Sequence, residues 1–343
     1  MQPLRTKLAF AVLPLALAAV PWSADLGFQP PEDSKVTRDF SIEVDFELGD
    51  LTVIADGQDM SEMVPGDFEG KGELRMQIQD HFVRSGGGRA LELIRTFASM
   101  EASMEAMGES QDMDGSDELE GKSVRFVWNE DEGDYDVSYH ECEGDESTLQ
   151  SIGADMDLSV LLPGKSVSVG DVWTVPAEEI GSVLTFGSKL EDDESGDEMA
   201  MLLKEAMSGQ FEAMLQAFKV SCEYQGEREV DGAKVGVIGL TLVGEGELDL
   251  EPMIRAALDA QEMPVEIDVS FDSASLSLSI EGKGELLWNL ERGLLHAFDM
   301  GADMELVADL DVAVDAQGES HEMQAEAELL GRGTWKVRTP SGD

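Results

Sequence analysis

A mainly β protein, with antiparallel curved sheets in two β-rich halves and a few helices packed against them, is the fold class that the sequence predicts. Two patterns carry that reading. Apolar and polar residues alternate strictly over long runs, which marks strands with one buried and one wet face. Turn chemistry recurs between the runs at intervals too short for the helix that a parallel crossover needs, so the connections are hairpins of an antiparallel meander.

The first element reads as an address. Arg5 and Lys7 precede the apolar stretch Leu8–Val20, which only Pro14 interrupts, and small residues follow at Ala16 and Ala18. A basic start, a short apolar run and a small-residue end make residues 1–24 a signal peptide, with cleavage sites after Ala18, Ala19 or Ala24. No cysteine follows the apolar stretch, so no lipid anchor is expected. Beyond residue 24 no apolar run reaches the roughly 18 residues of a membrane helix. The mature chain is therefore expected to be soluble and exported, in a periplasmic or extracellular location.

The first β-rich half spans residues 33–176 and the second 177–337. Phe40, Ile42, Val44, Phe46 and Leu48 alternate with Ser41, Glu43, Asp45 and Glu47, and Met304 to Val314 alternate in the same way with Glu305, Asp309 and Asp311. Shorter strands are read at Val124–Trp128, Leu276–Ile280 and Met323–Leu329. Arg89–Met107 fits both periods; it is read as a strand to Met100 with a loop or helical turn beyond. Asp56-Gly57, Gly86-Gly87-Gly88, Asp231-Gly232 and Arg292-Gly293 supply residues that tolerate positive φ, and Asp231-Gly232 predicts a hairpin. Helical spacing predicts a short helix over 147–161, a longer one over about 198–219 and a third over about 250–262, with Pro252 in its first turn. The acidic stretches Gly108–Glu120 and Glu191–Glu198 read as solvated loops.

Several phrases carry a resemblance. Leu161-Leu162-Pro163-Gly164 followed by Val169-Gly170-Asp171-Val172-Trp173, then Gln79-Asp80-His81-Phe82, Glu229 to Val235, and Gly284-Glu285-Leu286-Leu287-Trp288 resemble phrases of an uncharacterised family of exported, acidic, β-rich bacterial proteins of unknown function. The resemblance implies export and an antiparallel fold and supplies no catalytic residue. Read physically, Gly170-Asp171 is a turn that sends Trp173 into the core, and Trp288 is a core anchor.

Charge narrows the function classes. The 343 residues hold 73 acidic and 23 basic side chains, a formal charge of −50. Phosphate backbones and anionic membrane surfaces would be repelled, so neither is a partner. Diffuse association of divalent cations with such a surface is expected, and so is solubility in a saline exterior. The histidines, His81, His140, His296 and His321, are scattered, and His140 with Cys142 lacks a third ligand. Asp112 to Glu118 offers oxygens around Gly115 but not the order of an EF-hand. No Walker A loop or G-x-S-x-G elbow occurs, so no cofactor, metal or catalytic residue is assigned and the chain is read as a non-enzyme. Cys142 and Cys222 leave two readings open, a disulfide between the halves or two free thiols. The methionines near the predicted second helix, Met199, Met201, Met207 and Met214, read as core filler. The function expected is a binding or carrier module with an apolar groove for a lipid-like small molecule or a protein segment. The alternative is a structural or cell-surface interaction protein.

Overall fold

The computed structural model describes residues 23–63, 68–106, 109–112, 118–176, 216–260, 267–316 and 319–340, with single positions at 179, 181, 210, 213 and 214. Among the described residues the chain forms β1 (Ser23–Ala24), β2 (Ser34–Ala55), β3 (Gln58–Asp59), β4 (Glu69–Gly86), β5 (Arg89–Ala106), β6 (Glu109–Asp112), β7 (Ser123–Asn129) and β8 (Asp134–Tyr139). There follow β9 (Val167–Ser168), β10 (Val172–Thr174), β11 (Lys219–Val230), β12 (Ala233–Asp249), helix α1 (Glu251–Ala260), β13 (Ile267–Asn289), β14 (Leu294–Ala316) and β15 (Glu319–Arg338).

Thirteen of these strands make one sheet in the order β10-β11-β12-β13-β14-β15-β2-β4-β5-β7-β8, with β3 paired to β2 and β6 to β5, while β1 and β9 form a separate ribbon. All pairings are antiparallel. The two halves read from the sequence are joined without a seam, because β15 pairs with β2 from Arg338↔Asp39 to Met323↔Ala55. The sheet does not close: β10 and β8 end the path.

Register lines up the alternation of neighbouring strands. Gly284, Met300, Trp335, Ile42 and Leu74 fall in one cross-sheet row on the apolar face. One residue away, Glu285, Asp299, Lys336, Ser41 and Arg75 make the corresponding row on the polar face. Because the side-chain period is two, one slip anywhere would carry acids into the apolar face, so the pattern enforces the register. The turns cooperate: Asp231 and Gly232 both have positive φ, +50° and +79°, as a two-residue hairpin of matching twist demands.

The apolar face is thickest toward one end of the long strands. There Phe82, Phe126, Trp288 and Phe298 are fully buried, covered by the N-terminal stretch around Leu26 and by residues 147–175. The Trp288 indole donates to the Gly27 carbonyl at 3.2 Å and the half-buried Trp173 indole to that of Leu161 at 3.0 Å, so each indole N–H has a partner. Glycine makes room for large side chains lying flat on the sheet. A Cβ at Gly244 would sit 2.1 Å from the Phe218 ring, and one at Gly333 2.2 Å from the Trp335 ring.

Several elements differ from expectation. Residues 147–161 are not a helix but two 3₁₀ turns, Ser147–Ser151 and Ser159–Leu161, with Leu158 left-handed at φ +54°. Strand β5 does not stop at Met100 but runs to Ala106, where β4 and β6 pair with it. Part of the acidic 108–120 stretch is strand β6. The third helix is found as α1, described from Glu251 to Ala260. The signal peptide, apart from Ser23 and Ala24, most of the 198–219 helix with Met199, Met201 and Met207, and the Glu191–Glu198 loop lie outside the described residues.

Candidate functional site

Three charged side chains stand where the alternation calls for apolar ones. Arg38 lies between Val36 and Phe40 on β2, Asp80 between Ile78 and Phe82 on β4, and Arg95 between Leu93 and Phe97 on β5. All three are completely buried, and Asp157, from the segment between the 3₁₀ turns, joins them with 2% exposure. Asp80 accepts Arg38 Nη1 at 2.7 Å, Arg95 Nε at 2.7 Å and Arg95 Nη2 at 3.0 Å. Arg38 Nη2 donates to Asp157 Oδ1. Arg95 also reaches up to the carbonyls of Gly153 and Ala154, each at 3.0 Å.

This network clamps residues 147–161 onto the sheet. Leu149, Ile152, Met156, Leu158 and Leu161 of the segment are buried in the core it covers. Two guanidiniums face two carboxylates, so the charges can balance, as a buried cluster requires. The carboxylates are unequal. Burial alone would push Asp80 up, but the Arg95 and Arg38 guanidiniums outweigh it and hold the carboxyl below the usual range. Burial pushes Asp157 up, to about 7, against the pull of Arg38, with Asp80 and Asp155 adding to the rise. Donor count explains the difference, since Asp80 accepts three guanidinium hydrogen bonds and Asp157 one.

Beyond the clamp the apolar face is only half covered. Ile42, Val44 and Phe46 of β2, Leu276 and Leu278 of β13 and Met304 of β14 are partly exposed. A cleft of about 730 Å³ opens in this part of the sheet, where Phe46, Gly70, Met304 and Gly331 meet the charged Asp45, Lys71, Asp303 and Arg332. The lining combines apolar surface with charge of both signs.

The other residues singled out in the sequence are dispersed. Cys142 and Cys222 are free thiols, so the bridge is not made. Cys222 is buried in β11, next to the β10 end of the sheet, whereas Cys142 follows β8 at the other end of the strand order and donates to the Ser123 carbonyl at 3.4 Å. Burial pushes the Cys222 thiol up to about 12. His81 pairs with Asp33 at 2.8 Å and His321 with Asp56 at 2.9 Å, two pairs on different parts of the sheet. Among the described residues no group of three or more His, Cys, Asp or Glu side chains is placed to hold a metal ion. Most of the Asp112 to Glu118 segment lies outside the described residues.

No family model matches the chain, and no curated protein matches it. Among solved structures, the outer membrane protein OprG from Pseudomonas aeruginosa aligns over 91% of this chain and 98% of its own at 8% identity, with a TM-score of 0.18. An outer membrane channel from Pseudomonas putida F1 aligns over the same shares at 8% identity and a TM-score of 0.15. A mutant porin of Rh. blastica aligns over 88% of this chain and 100% of its own at 8% identity, with a TM-score of 0.17. At TM-scores this low, neither closure of the sheet nor activity transfers to this chain.

Proposed function

We propose that the protein is an exported, non-enzymatic binding or carrier module whose sheet curves around an apolar, lipid-like ligand. The observation that carries the reading is the uneven cover of one continuous apolar face. Rows that are sealed at Phe40, Phe298 and Val337 continue into Ile42, Val44 and Phe46, which are left partly open. An open apolar surface in a water-soluble chain is a binding surface by default. The acidic opposite face keeps such a module dispersed while its apolar face is free.

The test is direct. Protein purified natively from its source should yield extractable lipid by mass spectrometry, and the stripped protein should bind a fluorescent fatty-acid probe. Phe46→Asp and Met304→Asp should each weaken probe binding at least about tenfold, because each puts an unpaired charge into the apolar contact. Absence of both co-purifying lipid and probe binding would overturn the reading.

A further inference from the structure

Strand β8 ends the sheet, and its outer edge is open. In an antiparallel pair, residues that bond the neighbouring strand alternate with residues whose backbone groups point away from it. The His140 amide donates to the Ser123 carbonyl at 2.8 Å, and β8 pairs with β7 in register from Val124↔Tyr139 to Asn129↔Asp134. That phase turns the backbone of Asp134, Asp136 and Ser138 toward β7. The Phe97 amide, donating to the Lys122 carbonyl at 3.0 Å, sets the same phase on the β5 side of β7. Tyr135, Val137 and Tyr139 therefore direct their N–H and C=O groups outward. Asp134 Oδ1 accepts the Tyr135 amide at 2.8 Å, and among the described residues no further strand pairs with this edge.

The edge also faces a wall. Glu141, left-handed at φ +56°, turns the chain after β8, and residues 142–149 stand across a trough of about 890 Å³ from the strand. The Tyr139 hydroxyl fastens the wall by donating to the Asp145 carbonyl at 2.8 Å, and its ring lies on Gly144, where a Cβ would come within 2.2 Å. Asp136, Glu143 and Glu146 put three carboxylates on the trough, and among the described residues no basic side chain lines it. Lys122 lies over the Tyr139 ring at 5.6 Å, outside that lining.

We propose that this trough docks an extended, basic segment of a partner protein, which adds to β8 as a further strand. Backbone bonds to Val137 and Tyr139 hold such a segment, and the pleat fixes its pattern. Apolar residues fall beside the partly buried Tyr135, Val137 and Tyr139, alternating with Lys or Arg beside the exposed Asp134 and Asp136. Charge selects this occupant over a second copy, because pairing two β8 edges would bring their aspartates together on chains of net charge −50. The edge lies four strands from β2 and its open rows, so docking here is separate from ligand carriage.

A labelled seven-residue peptide alternating lysine and valine tests the site, with two controls: glutamate in place of lysine, and proline in place of the central valine. With full-length protein at about 0.15 M salt, the lysine peptide should bind by fluorescence anisotropy and the glutamate peptide should not. Binding should raise the hydrogen-exchange protection of residues 134–140 and slow thiol labelling of Cys142, which lines the trough. The proline peptide should bind at least about tenfold more weakly, since proline breaks the strand ladder. Val137→Pro should weaken binding as much: its N–H points off the sheet, so the change removes an outward donor and no bond to β7. If that variant does not fold, Asp136→Lys with Glu143→Lys decides, because both side chains are exposed and their reversal should switch the preference to the glutamate peptide. Absent binding of the lysine peptide, a proline peptide within about threefold of it, protection elsewhere than 134–149, or a preference unmoved by charge reversal overturns the proposal. So does a peptide-free dimer, seen by sedimentation, that Val137→Pro dissolves, since the occupant is then a second copy.

Discussion

Asp80→Asn is the substitution that the buried network makes most informative. The wild-type carboxylate accepts three guanidinium hydrogen bonds, at 2.7, 2.7 and 3.0 Å, in a site with no solvent exposure. The carboxamide keeps the size but offers one oxygen, and its NH₂ end is turned on a guanidinium. Arg38 and Arg95 must then share Asp157. Breaking a buried pair from one side costs about 3–5 kcal/mol, a large part of the roughly 5–15 kcal/mol by which domains are usually stable. At about 2–4 °C per kcal/mol the melting temperature should drop by roughly 10 °C, as read by circular dichroism. A carboxyl held below its ordinary value contributes stability above about pH 4 and loses it as pH falls through its native value, so the deficit should be full at pH 7. Asp303→Asn serves as control, because its pair with Arg332 has side chains 73% and 75% exposed and should contribute little. Pairing Asp80→Asn with Arg95→Met should recover part of the loss, since it removes an uncompensated charge. If Asp80→Asn melts within about 2 °C of wild type, the range of an exposed pair, the network is not the clamp described.

Further outcomes can be checked independently. Gly244→Val should cost about 1–3 kcal/mol in urea, because its Cβ would meet the Phe218 ring at 2.1 Å and force it off the sheet. Trp288→Ala should cost about 3–5 kcal/mol by the same measurement, since the indole is fully buried and its N–H is satisfied. A thiol reagent at pH 8 should label the partly exposed Cys142 in the native protein and reach Cys222 only after unfolding, because Cys222 is sealed and protonated. Two fast-reacting thiols, or none, would contradict that placement.

Much of the sheet was legible in the alternation, and the misses have physical causes. Arg89–Ala106 carries Ala and Met at helical as well as strand spacing, so its own preferences were ambiguous. Pairing with β4, where Met104 lies opposite Gly72, settles it as strand. The 147–161 segment mimics a helix because a chain lying on a sheet must also point side chains down at irregular intervals. In the structure Leu158 is left-handed at φ +54°, which breaks a helical path, and Arg95 ties the Gly153 and Ala154 carbonyls to the sheet. The clamp left a readable trace: Arg38, Asp80 and Arg95 each occupy an apolar parity. Nothing local indicated that they meet, or that Asp157, 119 residues from Arg38, completes them.

The sequence by itself determined the pleat, the two faces and the turns, because each depends on neighbours two to four residues apart. Only the tertiary structure decided which strands lie side by side, which part of the apolar face is sealed, and which charges are buried together. Those outcomes depend on pairings such as Arg338↔Asp39, between opposite ends of the chain. Alternation makes many strands compatible with one another; burial and register over the whole sheet select one arrangement among them.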